Sequence, residues 1–130
     1  MKNNLSQESP FAENRSIFTF WKSRVGLYLI LKALGIGPGD EVILPGYTCV
    51  VVANAVLYLG ARPIYADIDP ATYTISLATI QPLVTSRTRV IIAQNTFGLS
   101  PDYDPIMSYA EQAGIFVISC FSMARKSFTE

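Results

Sequence analysis

Five short stretches of this chain carry side chains able to do chemistry: "WKSR" from Trp21, "PGYTC" from Pro45, "DIDP" from Asp67, "QNTFG" from Gln94 and "SCFSM" from Ser119. In the first, Lys22, Ser23 and Arg24 stand directly before an apolar run. A helix starting there would point its first N–H groups and its dipole at an anion such as phosphate, with two cations beside it. The plainer alternative is that Ser23 caps the helix and both cations are solvated. Asp67 and Asp69 are two carboxylates at i, i+2, a spacing open to metal binding or acid–base work, or to turn-making before Pro70. Gln94, Asn95 and Thr96 offer polar contacts to a ligand, or simply form a turn.

Several chemistries are disfavoured by what is missing. The sequence has no histidine, so the commonest general base and metal ligand is absent. Cys49 and Cys120 are its two cysteines, and their separation fits no metal-ligand spacing. Free thiols are expected for a cytoplasmic chain. "GIGPGDE" is not a dinucleotide fingerprint, because a helix precedes it and a strand follows, the reverse of the required order. It reads as a helix stop and tight turn.

The bulk numbers narrow the class. Ten basic and ten acidic residues give a net charge of zero, with no electrostatic footprint for nucleic acid or an anionic membrane. Half of the 130 residues are hydrophobic and 15% are charged, which suits one folded domain. The longest apolar stretches, 25–31 and 49–61, are too short to span a bilayer. Residues 1–13 are polar and lack the apolar centre of a signal peptide, so the cytoplasm is the expected location.

The elements that would position these stretches alternate. "RVGLYLILKAL" (24–34) reads as a buried helix stopped by Gly35, and "EVIL" (41–44) as a strand. "TCVVVANAVLYL" (48–59) is helix or strand by apolar content, and its length with Gly60 at the stop position favours helix. A strand follows around 64–67, then a short helix in "SLATIQPLV" despite Pro82, then the buried strand "RVIIA" (89–93). A helix before Gly114 has Asp104 as cap and Pro105 in its first turn, and "IFVI" (115–118) is the last strand. This order predicts an α/β fold: βαβ units giving a mainly parallel sheet with helices on both faces. Ligands of such sheets bind beyond the carboxyl ends of the strands, where four of the five stretches fall.

The stretches "ALGIGPGDEVILPGYTCVVVANAVLYLGARPIYADIDPATYTI" and "TRVIIAQNTFGLSPDYDPIMSYAEQAGIFVI" closely resemble the N-terminal part of the DegT/DnrJ/StrS family, over residues 21–118. These are aminotransferases of sugar biosynthesis that depend on pyridoxal phosphate. The resemblance implies part of the large domain of a type I aminotransferase, with an active site at a homodimer interface. It implies amino transfer from glutamate or glutamine to a keto-sugar, often nucleotide-linked, with the cofactor on a Schiff-base lysine as electron sink.

Residue by residue, the resemblance places the cofactor phosphate on the backbone N–H groups of Ser23, Arg24 and Val25. It places Cys49 where an aromatic side chain commonly stacks on the pyridine ring, with Tyr47 as a substitute, and Asn95 where the family has histidine. After Ile118 the pattern departs. Ser119 and Cys120 stand where the family has glutamate and the aspartate that pairs with the ring nitrogen, and Met123 stands at its histidine or glutamine. None of Lys2, Lys22, Lys32 and Lys126 matches the context of the Schiff-base lysine, which lies further along than Glu130 in the family. The expected organisation is a polar arm (1–20), a partial large domain (21–118) and an aberrant tail (119–130), truncated or out of frame. No catalytic residue is assigned and no metal site is expected. The chain is expected to be inactive alone. A non-catalytic module docking on a full-length relative, or associating through an uncovered strand edge, is the alternative, and an unrelated small α/β domain is a third reading.

Overall fold

The computed structural model describes residues 18–122. Its elements run α1 (Ser23–Ala33), β1 (Glu41–Pro45), α2 (Val50–Leu57), β2 (Arg62–Ala66), α3 (Leu77–Ile80), a 3-10 turn (Gln81–Leu83), β3 (Thr88–Thr96), α4 (Tyr103–Ala113) and β4 (Phe116–Ser122). All strand pairings are parallel, in the order β2-β1-β3-β4. The expected α/β class, with a parallel sheet and helices on both faces, is what the chain adopts.

The two faces follow from side-chain alternation along the strands. Val42 and Leu44 of β1 join Val90 and Ile92 of β3 under α1 and α2, with Leu27, Leu31 and Val56. Ile43 and Ile91 point the other way, onto Ile80 of α3 and Ile106 and Ala110 of α4. Every residue of β1 is buried, as a central strand covered on both faces requires.

The ambiguous run at 48–59 is a helix, because its buried Val52, Ala53, Ala55 and Val56 recur at helical spacing against one core. Pro82 is tolerated because it falls in the 3-10 turn, where its missing N–H interrupts no α-helical ladder. Gly114 ends α4 at φ 67°, a left-handed cap.

Three expectations need correction. Ser23 does not cap α1: Lys22 occupies that position and Ser23 is the first helical residue. Asp102, not Asp104, holds the capping position of α4, and neither side chain closes a cap bond there, Asp104 lying in the first turn. Both later strands run further than their apolar cores indicated, because the β3–β4 ladder continues past Ile92↔Ile118 to Thr96↔Ser122. Ser119 to Ser122 are therefore strand residues, whereas Met123 and the seven residues after it lie outside the described residues.

At the amino end of β1, Glu41 is 2% exposed. It accepts hydrogen bonds from the Thr85 hydroxyl at 2.6 Å and the Arg87 guanidinium at 2.8 Å, with Arg62 at 3.8 Å. The Thr85 bond above all, then Arg87 and Arg62, holds its carboxyl below the ordinary 4.5, against the opposing pull of burial. A carboxylate depressed in the folded state stabilises fully above its unfolded value, and loses that contribution as pH falls through the folded value. Glu41→Gln is thus expected to lower the melting temperature at neutral pH, with the gap to the parent narrowing below pH about 4.5. Melts at neutral and acid pH check this, and a gap independent of pH would contradict it.

Candidate functional site

Strand order places a topological switch between β1 and β3. The chain leaves β1 towards α2 on one face and leaves β3 towards α4 on the other, as right-handed crossovers demand. The carboxyl ends of these two strands therefore open a crevice, the expected ligand position in such sheets. A cavity of about 540 Å³ lies there, within the range of small-molecule sites.

Its polar end is built from helix termini. Lys22, Ser23 and Arg24 of α1 and Cys49, Val51 and Val52 of α2 all line it. Neither helix has a side-chain cap or an acidic residue in its first turn. Two uncapped N-termini thus converge on one space, each with unbonded N–H groups and a partial positive charge. Lys22 and Arg24 add two full charges, and among the described residues no acidic side chain lines the cavity. The Lys22 ammonium lies 4.5 Å from the centre of the Trp21 ring, a cation–π contact at the mouth. This end suits an anion.

The rest of the lining is more aromatic. Thr48, Gln94, Thr96, Phe97 and Cys120 line it, with Tyr47 alongside. The Thr48 hydroxyl donates to Gln94 Oε1, and Gln94 Nε2 donates to Thr96 Oγ1 at 3.2 Å, so the buried amide is held at both ends. Tyr47 and Phe97 stand with ring centroids 6.2 Å apart. Phe97 and Gly98 form a two-residue turn, closed by Thr96–Leu99 backbone bonds of 3.1 and 2.9 Å. Both have positive φ, 53° and 87°. A bulky aromatic in the left-handed region is a strained choice where asparagine would be easier, and it puts a ring at the cavity edge.

Cys120 pairs with Gln94 across β3 and β4 and shares the cavity wall. Burial pushes its thiol above the ordinary value near 9, so it is neutral at physiological pH.

Of the residues singled out in the sequence, Ser23, Arg24 and Cys49 meet at this cavity. Val25 does not line it, and its N–H already donates to the Lys22 carbonyl at 3.0 Å. Asn95 lies on the other face, bonded to Tyr103 and Ser100. Its neighbour Gln94 takes the cavity position, because alternation along β3 puts 90, 92 and 94 on the α1–α2 face. Asp67 and Asp69 make local bonds to the backbone N–H groups of Ile68 and Ala71, both 2.8 Å, the turn-making reading. Among the described residues no cluster of three or more histidine, cysteine, aspartate or glutamate side chains is placed to hold a metal. No helix among them is long and apolar enough to cross a membrane.

The sequence pattern of the DegT/DnrJ/EryC1/StrS aminotransferase family matches residues 10–124. The chain is 46% identical over 92 residues to UDP-2-acetamido-2-deoxy-3-oxo-D-glucuronate aminotransferase of Pseudomonas aeruginosa, covering 71% of this chain and 26% of that protein. It is 44% identical to GDP-perosamine synthase of Caulobacter vibrioides, over 71% of this chain and 25% of that one. Among solved structures, NtdA of Bacillus subtilis with bound cofactor PMP superposes with a TM-score of 0.71 at 35% identity, covering 74% of this chain and 22% of NtdA. The chain spans about a quarter of the length of these curated relatives.

Proposed function

Because the chain belongs to the DegT/DnrJ/EryC1/StrS aminotransferase family, we propose that its cavity is the phosphate-and-ring half of a pyridoxal-phosphate site, of the kind that serves amino transfer to a nucleotide-linked keto-sugar. One observation carries the reading: two uncapped helix N-termini, Lys22 and Arg24 converge on a single cavity whose lining, among the described residues, has no acidic group. The relatives' printed activities, on UDP- and GDP-linked sugars, support the substrate class.

When bound, pyridoxal phosphate supplies the electron sink for amino-group chemistry. The residues of this chain fit its phosphate end. The first N–H groups of α1, at Ser23 and Arg24, would hold the phosphate, and the Arg24 and Lys22 side chains would neutralise its charge. Cys49 at the head of α2 and the Tyr47–Phe97 pair would stand beside the ring.

The ring-nitrogen end fits less well. Cys120, on the cavity wall, has a neutral thiol, which would not hold a proton on a pyridine nitrogen as a carboxylate would. Lys22 is the one lysine on the lining among the described residues, and its ammonium is held over Trp21. The chain by itself therefore binds the cofactor and does not transaminate. Incubating the 130-residue polypeptide with pyridoxal phosphate, glutamate and a UDP-linked keto-sugar is expected to give cofactor binding without amino-sugar. Turnover by this polypeptide alone would overturn the second half of the reading, and absence of binding the first.

A further inference from the structure

On the face of the sheet away from the cavity, one hydroxyl ties together three segments. Tyr103, the first residue of α4, has its hydroxyl 2.7 Å from Asn95 Oδ1 and 2.8 Å from Ser119 Oγ, with the Ala93 carbonyl at 3.2 Å. The proton count fixes the direction of these bonds. A phenol has one proton to give, and Asn95 Oδ1 can only accept. Tyr103 therefore donates to Asn95, the longer contact to Ala93 shares that proton, and Ser119 donates to Tyr103. Asn95 Nδ2 then passes the chain on to Ser100 Oγ at 2.8 Å.

The position of this relay matters more than its strength. Ala93 and Ser119 are register partners, as are Gln94 and Cys120 one step on. The relay grips one face of the pair at 93–95 and 119, while Gln94 and Cys120 leave the opposite face into the cavity. Among the described residues β4 pairs with β3 alone, so its carboxyl end has no second ladder to hold it.

We propose that Tyr103 is a positioning residue: its hydroxyl, taking a hydrogen bond from Ser119 and giving one to Asn95, locks the carboxyl ends of β3 and β4 in the arrangement that presents Gln94 and Cys120 to the cavity. The functional consequence rests on the reading of that cavity as the cofactor site. It gives Asn95, a residue away from the cavity, an indirect influence on it. Removing the hydroxyl leaves the 6%-exposed Asn95 without its donor and lets the β4 end separate.

The test follows the Cys120 thiol, which is next to Ser119 in the chain but makes none of the relay's hydrogen bonds. In a Cys49→Ser background of the full chain, Tyr103→Phe is expected to raise the rate of Cys120 alkylation by iodoacetamide about tenfold. Thr85→Val, which removes a hydrogen bond to Glu41 at the opposite end of the sheet, serves as the control for general loss of stability. It is expected to leave the alkylation rate unchanged. Ser119→Ala added to Tyr103→Phe is expected to add little, since both break one relay. An unchanged rate in Tyr103→Phe, or the same acceleration in Thr85→Val, overturns the proposal. Protection of Cys120 by pyridoxal phosphate, read by peptide mass mapping in the chain with Cys49 intact, is scored separately. If protection fails while Tyr103→Phe still accelerates alkylation, the cofactor reading falls and the positioning role stands.

Discussion

Replacing Arg24 with glutamate is expected to lower the affinity of the chain for pyridoxal phosphate by about 10- to 100-fold, since a hydrogen bond to a charged group contributes about 1.5–3 kcal/mol and about 1.4 kcal/mol is tenfold. Arg24 lines the polar end of the cavity, in the first turn of an uncapped helix with no acidic residue beside it. A glutamate there would repel the phosphate directly and compete for the same N–H groups. Because the loss is electrostatic, added salt should weaken parent binding more than variant binding. Pyridoxal, which lacks the phosphate, should bind parent and variant almost equally. Equal loss for both compounds would mean that Arg24 supports the fold and not the anion.

The second large effect concerns the sheet that carries the site. Ile91→Ala is expected to destabilise the chain by about 2–5 kcal/mol, a large share of the ~5–15 kcal/mol typical of a domain. Ile91 is fully buried at the centre of β3, between Ile43 of β1 and the helices α3 and α4. No neighbour can relax into the gap without moving a helix. Leu57→Ala, at a position 53% exposed on α2, should change stability by about 0.5 kcal/mol or less. Urea denaturation of both variants gives the comparison, and similar losses would contradict the two-faced core.

The sheet was legible because its apolar strands and helices have distinct periods and end at glycines and prolines whose geometry is local. The α1 terminus was legible for the same reason: Lys22, Ser23 and Arg24 immediately precede an apolar run. What the sequence hid was the reach of the strands. "RVIIA" looks finished at Ala93 because Gln94, Asn95 and Thr96 are polar, yet parallel pairing continues through them. Without that continuation no face can be assigned to 94 or 95, and the resemblance alone points to Asn95, in the family's histidine place. Extending the alternation of Val90 and Ile92 by two residues would have put Gln94 on the cavity side. The Tyr103 relay was not legible at all, since it depends on α4 packing back over strand ends from which it is separated by a loop.

The most direct measurement is a calorimetric titration of the chain with pyridoxal phosphate, repeated with pyridoxal and with inorganic phosphate as competitor. A cavity built from two helix N-termini, Lys22 and Arg24 predicts saturable binding of the phosphorylated compound, displacement by phosphate, and binding of pyridoxal at least tenfold weaker. Equal affinity for the two, or no saturable binding, would contradict the assignment of this cavity as a cofactor-phosphate site.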